Sequence, residues 1–316
     1  MPRPQDHVFE LGDLDLELGG TLADVRLAYR THGTLSVAGD NAILFPHMYS
    51  GTPASLDAWI AEDRPLDPGR WFVVCPGQFG NGVSSSPSNT TGEFPALTIG
   101  DDVAAQHRLL AEHLGVERLE LVLGFSMGVQ QAYEWAVSFP GAVRRLAVFA
   151  GLARTTAAND LLVAASAEAL QTGGTKQHAH FWTATGLSAE LFREEGWRGA
   201  GFESLEDLVT RLFEEDYGRF ATADLLCQLA KWRSADVSRH AGGDLGAALG
   251  RISARTLVAA FSHDGWFPLA DCELEQRLVP GSEFRVVESL WGHYAWGMTQ
   301  AETDQIDSLL NELLAT

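Results

Sequence analysis

Runs of nearly unbroken apolar residues punctuate the chain: Ala42 to Phe45, Trp71 to Cys75, Leu119 to Leu123, Leu146 to Phe149, Thr256 to Ala260 and Phe284 to Val287. Short runs of this kind, without alternation, predict strands covered on both faces of a parallel sheet. Val25 to Arg30 alternates instead, which predicts an antiparallel strand with one solvated face. Helical spacing falls between these runs. Asp101 to Leu114 places Val103, Leu110 and Leu114 on one side, and Gly115 follows as a C-cap. Met127 to Phe139 carries Ala132, Trp135, Ala136 and Phe139 at i, i+3, i+4, i+7 until Pro140 stops it. A last helix holds Ile306, Leu309, Leu310, Leu313 and Leu314 at the same spacing. Strands alternating with helices predict a mostly parallel, doubly wound α/β sheet.

One block breaks the rhythm. From about 153 to 250 the periodicity is helical, as in Leu161 to Leu170 and Leu205 to Phe213, with no convincing strand. We therefore expect an α/β core over 1–152, a helical cap over 153–250 and a second core segment over 251–316. A helical insertion of this kind either covers a pocket as a cap or forms a surface subdomain, and the chemistry flanking it on both sides favours the cap.

Composition narrows the partners. Lys plus Arg total 22 against 42 Asp plus Glu, a formal charge of −20, which repels phosphate backbones and excludes nucleic acid as the expected ligand. Cys75, Cys227 and Cys272 are far apart with no CxxC pair, which fits a reducing compartment and no structural metal. The first twenty residues carry acids where a signal peptide needs an apolar core, and no stretch reaches the roughly 18 apolar residues of a membrane span. A cytoplasmic protein without membrane contact is the expectation.

Gly124-Phe125-Ser126-Met127-Gly128 follows a predicted strand and opens a predicted helix, the context in which G-x-S-x-G forms a nucleophile elbow. The turn is tight enough that only small residues fit at either side, hence Gly124 and Gly128, and it lifts the Ser126 hydroxyl to the N-terminus of a helix. The backbone N–H of Met127 is then an oxyanion donor, helped by the helix dipole. Serine is a weak nucleophile at neutral pH and needs a base oriented by a carboxylate. The chain order Ser, Asp, His of this elbow points to Asp264, just past the run ending at Ala260, and His293, just past the run ending at Val287. His263 is the rival base, but it adjoins Asp264 and reads as exposed or structural. The second oxyanion donor should come from the loop after an early strand, and Tyr49 in Pro46-His47-Met48-Tyr49-Ser50-Gly51 is the candidate, with His47 packing beneath that loop. Phe125, Trp266, Trp291 and Tyr294 adjoin these residues and suggest an apolar substrate pocket.

Other patterns carry less. Gly77 to Gly82 lacks dinucleotide-loop spacing and reads as a plain loop. His178-Ala179-His180 has no further nearby metal ligand and reads as exposed, so no metal site is expected.

Together these segments resemble the homoserine O-acetyltransferase family of the α/β-hydrolase superfamily. The resemblance is carried by Tyr29-Arg30-Thr31-His32-Gly33-Thr34-Leu35, Asn41-Ala42-Ile43-Leu44 leading to Ser50-Gly51, the elbow with Glu134-Trp135-Ala136, Asp264-Gly265-Trp266-Phe267-Pro268 and Gly292-His293. It implies an α/β-hydrolase fold with an inserted cap, acyl transfer through Ser126, and homodimers formed through the caps. Two departures matter. The family's transferases follow the catalytic His with an Asp that holds the substrate amino group, where this chain has Tyr294. They also use a cap Arg for the substrate carboxylate, and no Arg lies between Arg154 and Arg193. Phe125 and Val129 also replace glycines flanking the family's usual elbow. Each lost charge-assisted bond removes about 1.5–3 kcal/mol of recognition, which argues against a zwitterionic substrate.

The expectation is thus a serine esterase cleaving small acyl esters through an acyl-serine intermediate, with no cofactor. The alternative is an O-acyltransferase using the same three residues, with acetyl-CoA as acyl donor. A non-catalytic scaffold ranks below both, because such proteins lose a member of the set and here none is missing.

Overall fold

The computed structural model describes residues 5–315. Its centre is an eight-stranded sheet in the order β1-β2-β4-β3-β5-β6-β7-β8. Strands β3 (Ala42–Leu44), β4 (Phe72–Pro76), β5 (Leu121–Phe125), β6 (Arg145–Phe149), β7 (Arg255–Phe261) and β8 (Glu283–Val287) run parallel. Every residue of β3 to β6 is buried, as expected for strands with helices on both faces. Strands β1 (Gln5–Asp15) and β2 (Thr21–His32) form an antiparallel hairpin whose second strand joins β4.

β1 has no counterpart among the predicted strands. Phe9 and Leu11 face inward by alternation, but register shifts around Gly12 put Leu14 back on the same face three positions later. A bulge of this kind erases the period-2 signal that a sequence reading depends on. The same phase slip separates Leu22 from Val25 in β2, so only its second half looks like a strand.

Helix α1 (Ile99–Arg108) starts at a capping box between Thr98 and Asp101, then runs through a π-helical turn, Leu109–Leu114, to Gly115 at φ 67°. Helix α2 (Met127–Ser138) follows β5 directly. Between β6 and β7 come α3 (Ala157–Gly186), broken at Gly174, then α4 (Ala189–Arg193), α5 (Leu205–Val209), α6 (Glu215–Tyr217), α7 (Thr222–Ser234) and α8 (Leu245–Leu249). No strand lies in this stretch among the described residues. Helices α9 (Leu269–Gln276) and α10 (Gln300–Leu314) complete the chain. No helix among the described residues is long and apolar enough to cross a membrane.

The helical block is fastened to the sheet by buried polar contacts. Lys231 on α7 donates to Asp102 on α1 at 2.5 Å and to the Phe79 carbonyl at 2.6 Å, while Asp102 accepts the Phe79 N–H at 2.8 Å. Burial pushes the Asp102 carboxyl up, against the pull of Lys231. Glu275 on α9 accepts the N–H groups of Ala153 at 2.7 Å and Arg154 at 3.3 Å, where the chain enters the block.

Candidate active site

The turn from β5 into α2 places Ser126 at φ 54°, ψ −126°, a conformation that costs a non-glycine residue about 1–3 kcal/mol. Its neighbours explain why the turn needs glycines. A Cβ at Gly124 would lie 2.5 Å from the Gly128 carbonyl oxygen, and one at Gly128 would lie 2.6 Å from the Pro46 oxygen. The strain lifts the Ser126 side chain above the end of the sheet and leaves Met127 as the first residue of α2. Its N–H is one of the four that a helix start leaves without an intrahelical partner.

The loops after β7 and β8 meet it there. Ser126 Oγ lies 2.8 Å from His293 Nε2, and His293 Nδ1 lies 2.7 Å from Asp264 Oδ2. The carboxylate takes the Nδ1 hydrogen, so Nε2 is left as the acceptor of the serine proton. The other carboxylate oxygen accepts the N–H groups of Trp266 at 2.8 Å and Phe267 at 3.0 Å, which fixes the carboxylate plane. Phe125 stacks on the imidazole at 5.2 Å and on Trp296 at 4.9 Å, so the His293 ring sits against an apolar wall. His263, two residues past β7, turns its Nδ1 to the Ser289 carbonyl and is exposed.

Ser126 and His293 open into a cavity of about 370 Å³, within the range of small-molecule sites. Tyr49, Phe125 and Tyr294 line it. Trp266 and Trp291, expected in the pocket from their position beside Asp264 and His293, do not. Trp266 stacks behind the cavity wall on Trp182 at 3.9 Å, and Trp291 packs against Phe202 at 6.3 Å. Adjacency in sequence placed them near the site, but their loops turn both indoles into the core. The positions they vacate are filled from the helical block by Trp182 and Tyr217, which local sequence spacing could not assign. Tyr217 and Tyr294 bring their hydroxyls to 3.1 Å, and burial pushes both phenols up, so both stay protonated. Arg219 stands at the rim, beyond the arginine-free interval from Arg154 to Arg193, with its guanidinium donating to Asp216.

The loop after β3 runs beside the serine. His47 is fully buried beneath it: Nδ1–H donates to the Met48 carbonyl at 2.8 Å, and Nε2 accepts from Asn81 at 3.1 Å. Burial holds this imidazole down to about 4, so it stays neutral and serves packing. His178, read from the sequence as exposed, is fully buried in α3; only His180 is exposed. The helical period explains it, because Ala179, Trp182 and Thr183 share its inward face. No group of three or more metal-ligating side chains occurs among the described residues.

A family model described as alpha/beta hydrolase fold matches residues 41–296. The chain belongs to the α/β-hydrolase family. Within that superfamily it is an enzyme, and its relatives are esterases and acetyltransferases. It is 41% identical to an ethyl acetate hydrolase of Pseudomonas veronii, over 98% of this chain and 95% of that one. It is similar in structure to an acetylester hydrolase from Corynebacterium glutamicum, with a TM-score of 0.96, 39% identity, and coverage of 99% and 96%. A homoserine O-acetyltransferase of Thermobifida fusca is more distant, at 31% identity over 96% of this chain and 91% of that one. This ordering among α/β hydrolases agrees with the loss of charged contacts noted around Tyr294.

Proposed function

We propose that the protein is a serine esterase that hydrolyses small, uncharged acyl esters, acetates of short alcohols foremost, through an acyl enzyme on Ser126. The observation that carries this reading is the unbroken series Ser126 Oγ, His293 Nε2, His293 Nδ1, Asp264 Oδ2, with gaps of 2.8 and 2.7 Å, opening into a cavity lined by aromatic side chains. The names of two esterases to which it is similar over nearly its whole length support the acetate preference.

In the reaction His293 Nε2 takes the Ser126 proton as Oγ attacks the ester carbonyl carbon, and Asp264 stabilises the imidazolium. The carbonyl π pair moves onto oxygen, where the N–H groups of Met127 and Tyr49 receive the developing charge. Collapse breaks the bond to the alcohol oxygen, which leaves with the proton from Nε2. Water then repeats the sequence on the acyl enzyme: Nε2 takes one of its protons, the acid departs, and that proton returns to Ser126. None of these steps calls for a metal or a bound cofactor.

Acyl transfer would follow the same path with an alcohol in place of water and acetyl-CoA as donor. The more distant kinship to the transferases and the hydroxyl pair at Tyr294 and Tyr217 favour hydrolysis. Replacing Ser126 with Ala is expected to abolish turnover of 4-nitrophenyl acetate and labelling by a fluorophosphonate. Undiminished turnover would overturn the assignment.

A further inference from the structure

Tyr49 and Ser50 form the tip of the loop that runs past Ser126, and each is tied to the helical block rather than to the sheet. Ser50, at φ 54°, donates through Oγ to Asp216 Oδ2 at 3.2 Å. The Tyr49 hydroxyl lies 3.0 Å from His178 Nε2. The imidazole's other nitrogen faces the Ser166 carbonyl at 3.0 Å. A carbonyl only accepts, so Nδ1 carries the hydrogen and Nε2 offers a lone pair, and the phenol is therefore the donor. Burial holds His178 down to about 4, so near neutral pH the ring stays uncharged and Nε2 keeps its lone pair. Ser166 also accepts the indole N–H of Trp182 at 3.0 Å, and the Trp182 ring lies along Tyr49 at 5.6 Å and 17°. The base of the same loop is held from the opposite side, where Gln78 donates to the His47 carbonyl at 2.6 Å. One end of the loop is thus fixed by the sheet and the other by α3 and α6.

We propose that His178 is a positioning residue for ester hydrolysis: by accepting the Tyr49 hydroxyl it holds the Tyr49 backbone N–H in the orientation that receives the oxyanion. The helical block is then part of the machinery that stabilises the transition state, in addition to covering the cavity. The inference rests on the esterase reading of Ser126 and on Tyr49 as the second oxyanion donor. A loop tip free to drift would weaken a bond made to the tetrahedral oxygen more than one made to the planar ester, so the effect falls on kcat. Acylation and deacylation both pass through that oxygen, so kcat registers the loss whichever step limits.

The test is steady-state hydrolysis of 4-nitrophenyl acetate by Tyr49→Phe, His178→Leu, His178→Gln and the double variant Tyr49→Phe/His178→Leu. Tyr49→Phe removes one oxygen and keeps the stacked ring, so it reports even where a change at 178 impairs folding. It is expected to lower kcat roughly tenfold with KM within about twofold. His178→Leu should match it, and the double variant should lose nothing further. His178→Gln, whose Oε1 can accept in place of Nε2, should recover most of the loss. Wild-type kcat in Tyr49→Phe, a change confined to KM, or identical behaviour of the Gln and Leu variants would overturn the proposal. The two readings fail separately: an active Ser126→Ala variant would sink the esterase assignment, whereas an inactive one beside an unimpaired Tyr49→Phe would sink only the strut.

Discussion

The two walls of the catalytic cavity hold the same side chain in different company. On the sheet side His293 gives its Nδ1 hydrogen to the Asp264 carboxylate and meets Ser126 with Nε2. On the helical side His178 gives its Nδ1 hydrogen to a backbone carbonyl and meets Tyr49 with Nε2. The geometry is nearly superimposable in its logic, but the group behind the ring is a carboxylate in one case and a backbone carbonyl in the other, and burial holds the second ring neutral. A carboxylate neutralises an imidazolium, whereas a carbonyl offers only part of a charge against the full cost of burial. What separates a base from a strut is therefore the charge of the group behind the ring.

The strongest way to break this contrast is to remove that charge. Asp264→Asn should keep the fold but lower kcat by about 10³–10⁴-fold, because the amide can leave the ring in the wrong tautomer. Steady-state kinetics on 4-nitrophenyl acetate measures it, and a loss under tenfold would erase the distinction between the two walls.

A smaller effect is expected where the two regions join. Glu275, which holds Ala153 and Arg154, is pushed up to about 8 by burial, with its two backbone hydrogen bonds opposing the shift. The folded value lies above the unfolded one, near 4.5, so the protonated carboxyl favours the fold. Its stabilisation is complete below pH 4.5 and disappears as pH rises through 8. Urea unfolding between these limits should show a decline of roughly 3–5 kcal/mol from this group, and Glu275→Gln should flatten it. His47 and His178 have the opposite sign: both are held down to about 4, so their contribution is present above pH 6.5 and is lost as pH falls toward 4.

The smallest effect should come from the hydroxyl pair in the cavity. Tyr217→Phe deletes one partner of a single hydrogen bond, about 0.5–1.5 kcal/mol, and leaves Tyr294 free to turn its hydroxyl to substrate. A change in kcat/KM for ethyl acetate of no more than about tenfold is expected, and a larger one would mean that the helical wall takes a direct part in the chemistry.

How much of this was legible in the chain follows the same division. β3 to β7 could be read because strands buried on both faces are apolar throughout, and the elbow because Gly124 and Gly128 bracket Ser126 between a strand and a helix. Asp264 and His293 could be singled out because each follows a recognisable strand. β1 could not, because the bulge at Gly12 reverses its alternation. Trp182 and Tyr217 were out of reach for another reason. Their places in the cavity depend on how the helical block docks on the sheet, through contacts such as Lys231 with Asp102 that lie 129 residues apart. Trp266 and Trp291 show the reverse error, closeness in sequence taken for closeness in the pocket.

The guanidinium at the rim has a kinetic consequence. Arg219 is tethered to Asp216, so the entrance offers little pull to an anion approaching a molecule of net charge −20. A phosphate-bearing thioester would have to climb that field, and added salt would ease its approach by shrinking the reach of the repulsion to about 8 Å at physiological ionic strength. A neutral volatile ester arrives by plain diffusion, indifferent to salt, so the surface itself sorts acyl donors before any of them reaches the serine.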